Sequence, residues 1–311
     1  MTYGTLNTIT ALDYNTFAQG GATVNHGVAN INTLWGVGQG DKGYGQSSTL
    51  PAVASVTDTV TATQWATLLA RLNSILAHQA GSGHGIAAPT TGSTVAYLAA
   101  LSGAVTSAYT NRLTAATNAA DVTGTAPAAA SWNTATPTTL TITRTATWSS
   151  ADQARYFFNA GGKLVLTFGA VNNISNAKGN DWVSLLNTKL GSMTVGAYSN
   201  SRGGTGGSVL AANTALGYWN AGTTDNSLLT LSSASGSFDY GSNSVAVAIK
   251  TNGVQGSNGD VGTVLTFTVT LTDVAADTFD DSVNLSITTN VTVRPPETTN
   301  LPTAIANPVI A

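Results

Sequence analysis

The apolar residues of this chain keep two different periods, and the change between them constrains the fold more than any other feature. Up to about residue 118 they recur at threes and fours; from about residue 138 they recur at twos. A helix repeats every 3.6 residues and a strand every two, so no single element serves both patterns. The expectation is an α+β protein in four parts: an all-α helical domain over residues 1–120, a linker over 121–137, a C-terminal antiparallel β-sandwich over 138–294, and an extended Pro-rich tail over 295–311.

Two helical segments share one entry signal. Ile9-Thr10-Ala11-Leu12-Asp13-Tyr14 and Val60-Thr61-Ala62-Thr63-Gln64-Trp65 each place an apolar residue before a Thr N-cap, an acid or amide at N3 and an aromatic at N4. Thr61 with Gln64 makes a capping box, and the pairs Ile9/Tyr14 and Val60/Trp65 are hydrophobic staples. The likeness reads as a duplicated unit or as two independently well-capped helices. Trp65, Leu68, Leu69, Leu72, Ile75 and Leu76 follow at helical spacing, and Gly81 is placed to end that helix. Tyr14, Phe17, Val24, Val28, Ile31 and Trp35 predict one long kinked helix or two short ones, interrupted at Gly20-Gly21. A third helix is expected from Val95 to about Asn118. The Gly-rich run Gly36 to Gln46 lacks a Gly-Lys-Ser/Thr ending and follows a helix, so it reads as a structural loop rather than a phosphate cradle.

The linker is Ala/Thr/Pro-rich and aperiodic. Beyond it, Leu140–Ala146, Lys163–Phe168, Ser244–Lys250, Thr263–Leu271 and Ser282–Val293 alternate, with Thr on the outward positions, as half-buried antiparallel strands do. Asp181 to Leu190 reads as one inserted helix. Arg155 to Leu164 reads as strand, tight turn, strand, with Asn159 and the glycines at the turn and the aromatics in the core.

Charge separates the function classes. The chain carries 11 Lys or Arg and 14 Asp or Glu, Glu297 being its one glutamate. That is 8% of residues, where ordinary soluble domains carry about a quarter. A surface of hydroxyls, amides and methyls suits a subunit packed against copies of itself. It gives little material for acid–base chemistry, so no enzyme and no cofactor are expected. The cations are scattered singly, which speaks against a nucleic-acid surface. No apolar run nears the roughly 20 residues that span a bilayer, so membrane insertion is not expected. The start Met1-Thr2-Tyr3-Gly4 lacks a basic n-region and an apolar h-region, and synthesis in a cytoplasm is the expectation.

A few residues are candidates for chemistry. His78 and His84 flank Gly81-Ser82-Gly83 without an acid or thiol at ligand spacing, so dipole or neighbour contacts are preferred to zinc. Asp273, Asp277, Asp280 and Asp281 form the densest acidic patch. Its last three members are the Ca²⁺ candidates, and a solvated turn with Asx-type bonds is the preferred reading. Tyr198, Tyr218, Trp219 and Tyr240 lie in Gly/Ser/Asn-rich stretches and are the candidates for a glycan- or receptor-binding surface, against the simpler reading that the rings pack beneath their loops.

Several motifs carry a resemblance. Tyr156-Phe157-Phe158-Asn159-Ala160-Gly161-Gly162 before an alternating strand resembles a segment recurring in virion structural proteins of tailed bacteriophages, marine and cyanobacterial ones especially. Ile9 to Asn15 resembles their opening helix, Gly40-Asp41-Lys42-Gly43-Tyr44-Gly45-Gln46 their Gly-Tyr-Gly-Gln loop, and Trp65 to Gln79 their second helix. Leu265 to Val269 and Asp277 to Asp281 resemble their closing hairpin. The order matches from about residue 5 to 290. Two departures stand out: about fifteen residues around Gln19 to Asn32 look inserted, and Lys163-Leu164-Val165 stands where the group more often has an acid and an arginine. The resemblance implies a virion part with no catalytic residues, tail-, baseplate- or fibre-associated, with capsid decoration or a head fibre as the alternative. Its implied partners are copies of itself, other virion proteins and, in the second reading, a host-surface glycan.

Overall fold

The computed structural model describes residues 11–19, 30–36, 41–53, 58–90, 98–115, 120–123, 128–233, 240–254, 261–274 and 282–311. The chain divides into two compact units. The first gathers Met1–Ala119, Arg155–Gly161 and Pro296–Ile305; the second gathers Ala120–Ala154, Gly162–Pro295 and Ala306–Ala311.

The first unit is helical. Helix α1 runs Ala11–Gln19, α2 Ile31–Trp35, α3 Ala62–Ala80 and α4 Leu98–Thr110. The capping box at Thr61 forms with both its hydrogen bonds, and Gly81 closes α3 in the left-handed region at φ 73°. The apolar positions of α3 then lie on one face, and Trp65, Leu68, Leu69, Leu72 and Ile75 are buried. Tyr14 of α1 meets Trp65 edge-on at 5.7 Å. Of the two readings of the first segment, two separate helices are described. Ile9, Thr10, Val24, Val28 and His26 lie outside the described residues, as does Val95, the predicted start of α4; the helix ends at Thr110, and residues 111–115 are turn and coil, short of the predicted end near Asn118.

The second unit is a sandwich of two antiparallel sheets. Its strands are β1 Val122–Thr123, β2 Ala128–Thr134, β3 Thr139–Thr147, β4 Lys163–Asn172, β5 Met193–Val195, β6 Asn200–Arg202, β7 Ser208–Ala212, β8 Asn226–Ser232, β9 Ser244–Thr251, β10 Val264–Thr272, β11 Val283–Arg294 and β12 Val309–Ile310. One sheet has the order β1-β11-β4-β5-β6, with β2 also on β11; the other has β12-β3-β10-β9-β8-β7. The alternation seen in the sequence is the pleat itself: in β10, Leu265, Phe267, Val269 and Leu271 are buried and the threonines between them are not. Those threonines stand opposite threonines of β3, Thr266 by Thr145, Thr268 by Thr143, Thr270 by Thr141 and Thr272 by Thr139.

Three expectations are corrected. The supposed linker contains β1 and β2, both paired with β11. An edge strand has one neighbour, and β2 buries Trp132 but otherwise carries small or polar side chains, so its alternation is hard to read. The supposed strand before Gly161 is helix α5, Ala151–Asn159. The Ser150 hydroxyl accepts from the Gln153 N–H at 3.2 Å, and Gly161 leaves the helix at φ 91°. The single helix at Asp181–Leu190 is a helix α6, Ala177–Ser184, running on into a wider π turn over Leu185–Leu190. The tail lies on its own chain: 296–305 belongs to the first unit, and β12 pairs with β3.

Candidate functional site

Three of the segments that carry the resemblance, at 41–46, Trp65–Gln79 and Tyr156–Gly161, meet inside the first unit, whereas Leu265–Val269 lies in β10 of the second. At the centre is the loop 41–46. Its backbone is tied to α2 and the residue after it, with Tyr44 N–H donating to Leu34 C=O at 3.0 Å and Gln46 N–H to Trp35 C=O at 2.9 Å. Gly45 sits at φ +65°, and a Cβ there would stand 2.3 Å from the ring of Tyr156. Three residues on, Asn159 closes α5 by donating to the carbonyls of Lys42 (2.6 Å) and Gly43 (3.0 Å). The turn and the aromatic segment are therefore cut to fit one another.

Side chains complete the lock. The Tyr44 hydroxyl donates to Arg112 C=O and accepts from the Gln79 amide, both at 2.6 Å, and that amide also donates to Ala108 C=O at 2.8 Å. Burial holds the Tyr44 phenol well above its usual range, against weaker opposing pulls from Gln79 and Arg112. Arg112 pairs with Asp41. Gln46 donates to Thr303 C=O at 3.0 Å and accepts from Thr303 N–H at 2.7 Å.

His78, near the end of α3, is buried with its Nδ1 2.6 Å from Glu297 Oε1, and its ring meets Tyr44 edge-on at 4.9 Å. Burial pushes the imidazole below its ordinary value of 6.5. The Glu297 carboxylate and the Ala160 backbone pull the other way, although no well-aligned hydrogen bond reaches Nε2. Burial also acts to raise Glu297, but the bonds from His78, Asn300 and Thr299 outweigh it and hold the carboxylate below its ordinary 4.5. The arrangement is a neutral imidazole donating to a carboxylate that also accepts from the backbone N–H groups of Thr299 (2.6 Å) and Asn300 (3.1 Å). The His78–Glu297, Gln79–Tyr44, Gln46–Thr303 and Asn159–Lys42 contacts each join segments distant in sequence, and together they fasten those segments to one another.

The remaining candidates fall apart from this cluster. His84 has both ring nitrogens on the backbone, Nε2 on Leu69 C=O at 2.9 Å and Nδ1 accepting from Ile86 N–H at 2.8 Å, so it shares no site with His78. Among the described residues no group of three His, Cys, Asp or Glu could hold a metal ion, and no described helix is long and apolar enough to cross a membrane. Asp277, Asp280 and Asp281 lie outside the described residues. Asp273 is taken up in a buried ion pair with Lys178 of α6 at 3.0 Å, both side chains wholly inaccessible, with Tyr240 beside the ammonium. Of the four aromatics, Tyr218, Trp219 and Tyr240 are core residues; Tyr198, at 40% exposure, is at the surface. Sequence reasoning missed Gln79, Glu297 and Thr303 as members of the lock, since nothing local marks a partner 35, 219 or 257 residues away.

Compared with known protein families, known proteins and solved structures, the chain has no match.

Proposed function

We propose that this chain is a non-enzymatic structural component of a tailed-phage virion, tail-, baseplate- or fibre-associated, that assembles by self-association. The observation that carries the reading is the convergence on loop 41–46. The described parts of segments resembling phage virion proteins, at 41–46, Trp65–Gln79 and Tyr156–Gly161, meet in one place and interlock there. Short motifs that agree in order and also in mutual fit are better support than motifs in order alone. The sparse charge adds to it, because a surface of Thr, Ser, Asn and Ala is suited to burial against other subunits.

Gold-labelled antibody on purified particles of the phage encoding this chain tests the reading. Label at the tail end is the expected result. Label over the head moves the protein to the decoration or head-fibre alternative. Absence of both label and peptide by mass spectrometry removes the virion reading. The glycan-binding alternative retains Tyr198 from its four aromatics, the other three being buried.

A further inference from the structure

Among the described residues, one edge of the sandwich has no neighbouring strand over the five residues Thr139–Thr143. Along β3, alternate residues turn their backbone groups toward β10 or away from it. Asp273 N–H donates to Thr138 C=O at 3.0 Å and Trp148 N–H to Thr263 C=O at 2.9 Å, so the even-numbered residues face β10. The odd-numbered ones face outward. Thr145 exchanges both its bonds with Ala311, at 2.9 and 3.0 Å, where β12 covers the end of the strand. Thr143, Thr141 and Thr139 continue the outward row with no strand beside them among the described residues, and their side chains are exposed. Pro137, which has no N–H to offer, ends the row.

Folded proteins usually blunt such an edge with charge, a bulge or a short strand. The far ends of both sheets here are blunted. β7 is bulged between Val209 and Ala211, and β6 has three residues, one of them Arg202. β3 runs nine residues in unbroken register with β10 and carries no charge from Thr139 to Thr143. Among the described residues the outer row of β2 in the other sheet has no strand beside it either, and none bounds it as β12 bounds the row on β3.

We infer that Thr139–Thr143 is a self-pairing edge that takes the same segment of a second copy of this chain, antiparallel, about a two-fold axis through Thr141. β12 already uses this edge for strand addition and leaves a window of fixed length. A copy centred on Thr141 fills that window, setting Thr139 against the partner's Thr143 so that every outward donor meets an acceptor. Thr beside Thr is also the pairing that β3 makes with β10. On the inner face Leu140 meets the partner's Ile142, and no charges are brought together. The inference rests on the self-association proposed above.

The chain has no cysteine, so Thr141→Cys introduces a lone thiol. At the axis the two Cα atoms lie about 5.5 Å apart, within the span of a disulfide. Mild oxidation is expected to convert most of the Thr141→Cys protein to a linked dimer. Thr270→Cys, on the same face in β10 but with strands on both sides, is expected to give none. Thr141→Pro, tolerated where the N–H points off an edge, is expected to shift the sedimenting species toward monomer at an unchanged thermal midpoint. If that variant does not fold, the cross-link decides alone. An oligomer that Thr141→Cys fails to cross-link overturns the self-pairing edge and leaves self-association to another surface. A chain that sediments only as monomer overturns both. A cross-linked dimer of a protein absent from virions upholds the edge and removes the virion reading.

Discussion

Gly45 combines a left-handed backbone with a Cβ direction blocked by the Tyr156 ring. Gly45→Ala is therefore expected to destabilise the first unit by about 3 kcal/mol, strain and overpacking together. Gly103, exposed within α4 with open space at its Cβ, is the control: Gly103→Ala should stabilise by roughly 0.5–1 kcal/mol. Chemical denaturation of the two variants checks both signs. His78 carries a pH prediction. Its folded pKa is lowered, so near and below pH 6.5 the unfolded chain binds the proton more readily than the folded one. The stabilisation is complete above 6.5 and is lost as pH falls toward the folded value; Glu297, lowered from 4.5, continues the same trend at lower pH. The expected measurement is a thermal midpoint that drops between pH 7 and pH 5 in the native chain and drops less in His78→Gln.

Elements differ in how openly the sequence declares them. α3 is legible because Thr61, Gln64 and Gly81 mark both ends of a clean apolar stripe. β9, β10 and β11 are legible because each alternates through eight or more residues. α5 is misread because Tyr156-Phe157-Phe158 has strong β propensity, although Ser150 followed by Gln153 repeats the signature that marks α3. Of the lock, loop 41–46 reads as a structural loop and Asn159 as a turn residue rather than the last residue of α5, while Gln79 and Glu297 carry no local mark of their partners. α6 is held by an ion pair that no local pattern announces, since Lys178 and Asp273 lie in elements that the sandwich alone brings together. Asp273→Ala strands a buried ammonium and is expected to cost about 3–5 kcal/mol, while Lys178→Met with Asp273→Leu should recover most of that loss. Denaturant midpoints of the single and double variants decide this.

For the whole molecule, the division into units does not follow the chain. The helical unit needs Asn159, Glu297 and Thr303 as well as its first 119 residues. A fragment of residues 1–119 has Lys42, Gly43, Gln46 and His78 without those partners, and it is expected to melt without a sharp transition, where the full chain melts cooperatively; near-UV circular dichroism would separate the two. The same interleaving sets a clock. A ribosome adds about 5–20 residues each second and delivers every strand from β1 to β11 before it delivers Glu297. The helical part, begun first, is thus finished after β1 to β11 have been made, and during that interval its His78 and Gln46 wait without their partners. A cell making many copies at once holds many such half-closed helical units together, each with His78 and Gln46 open to its neighbours until its own chain is finished.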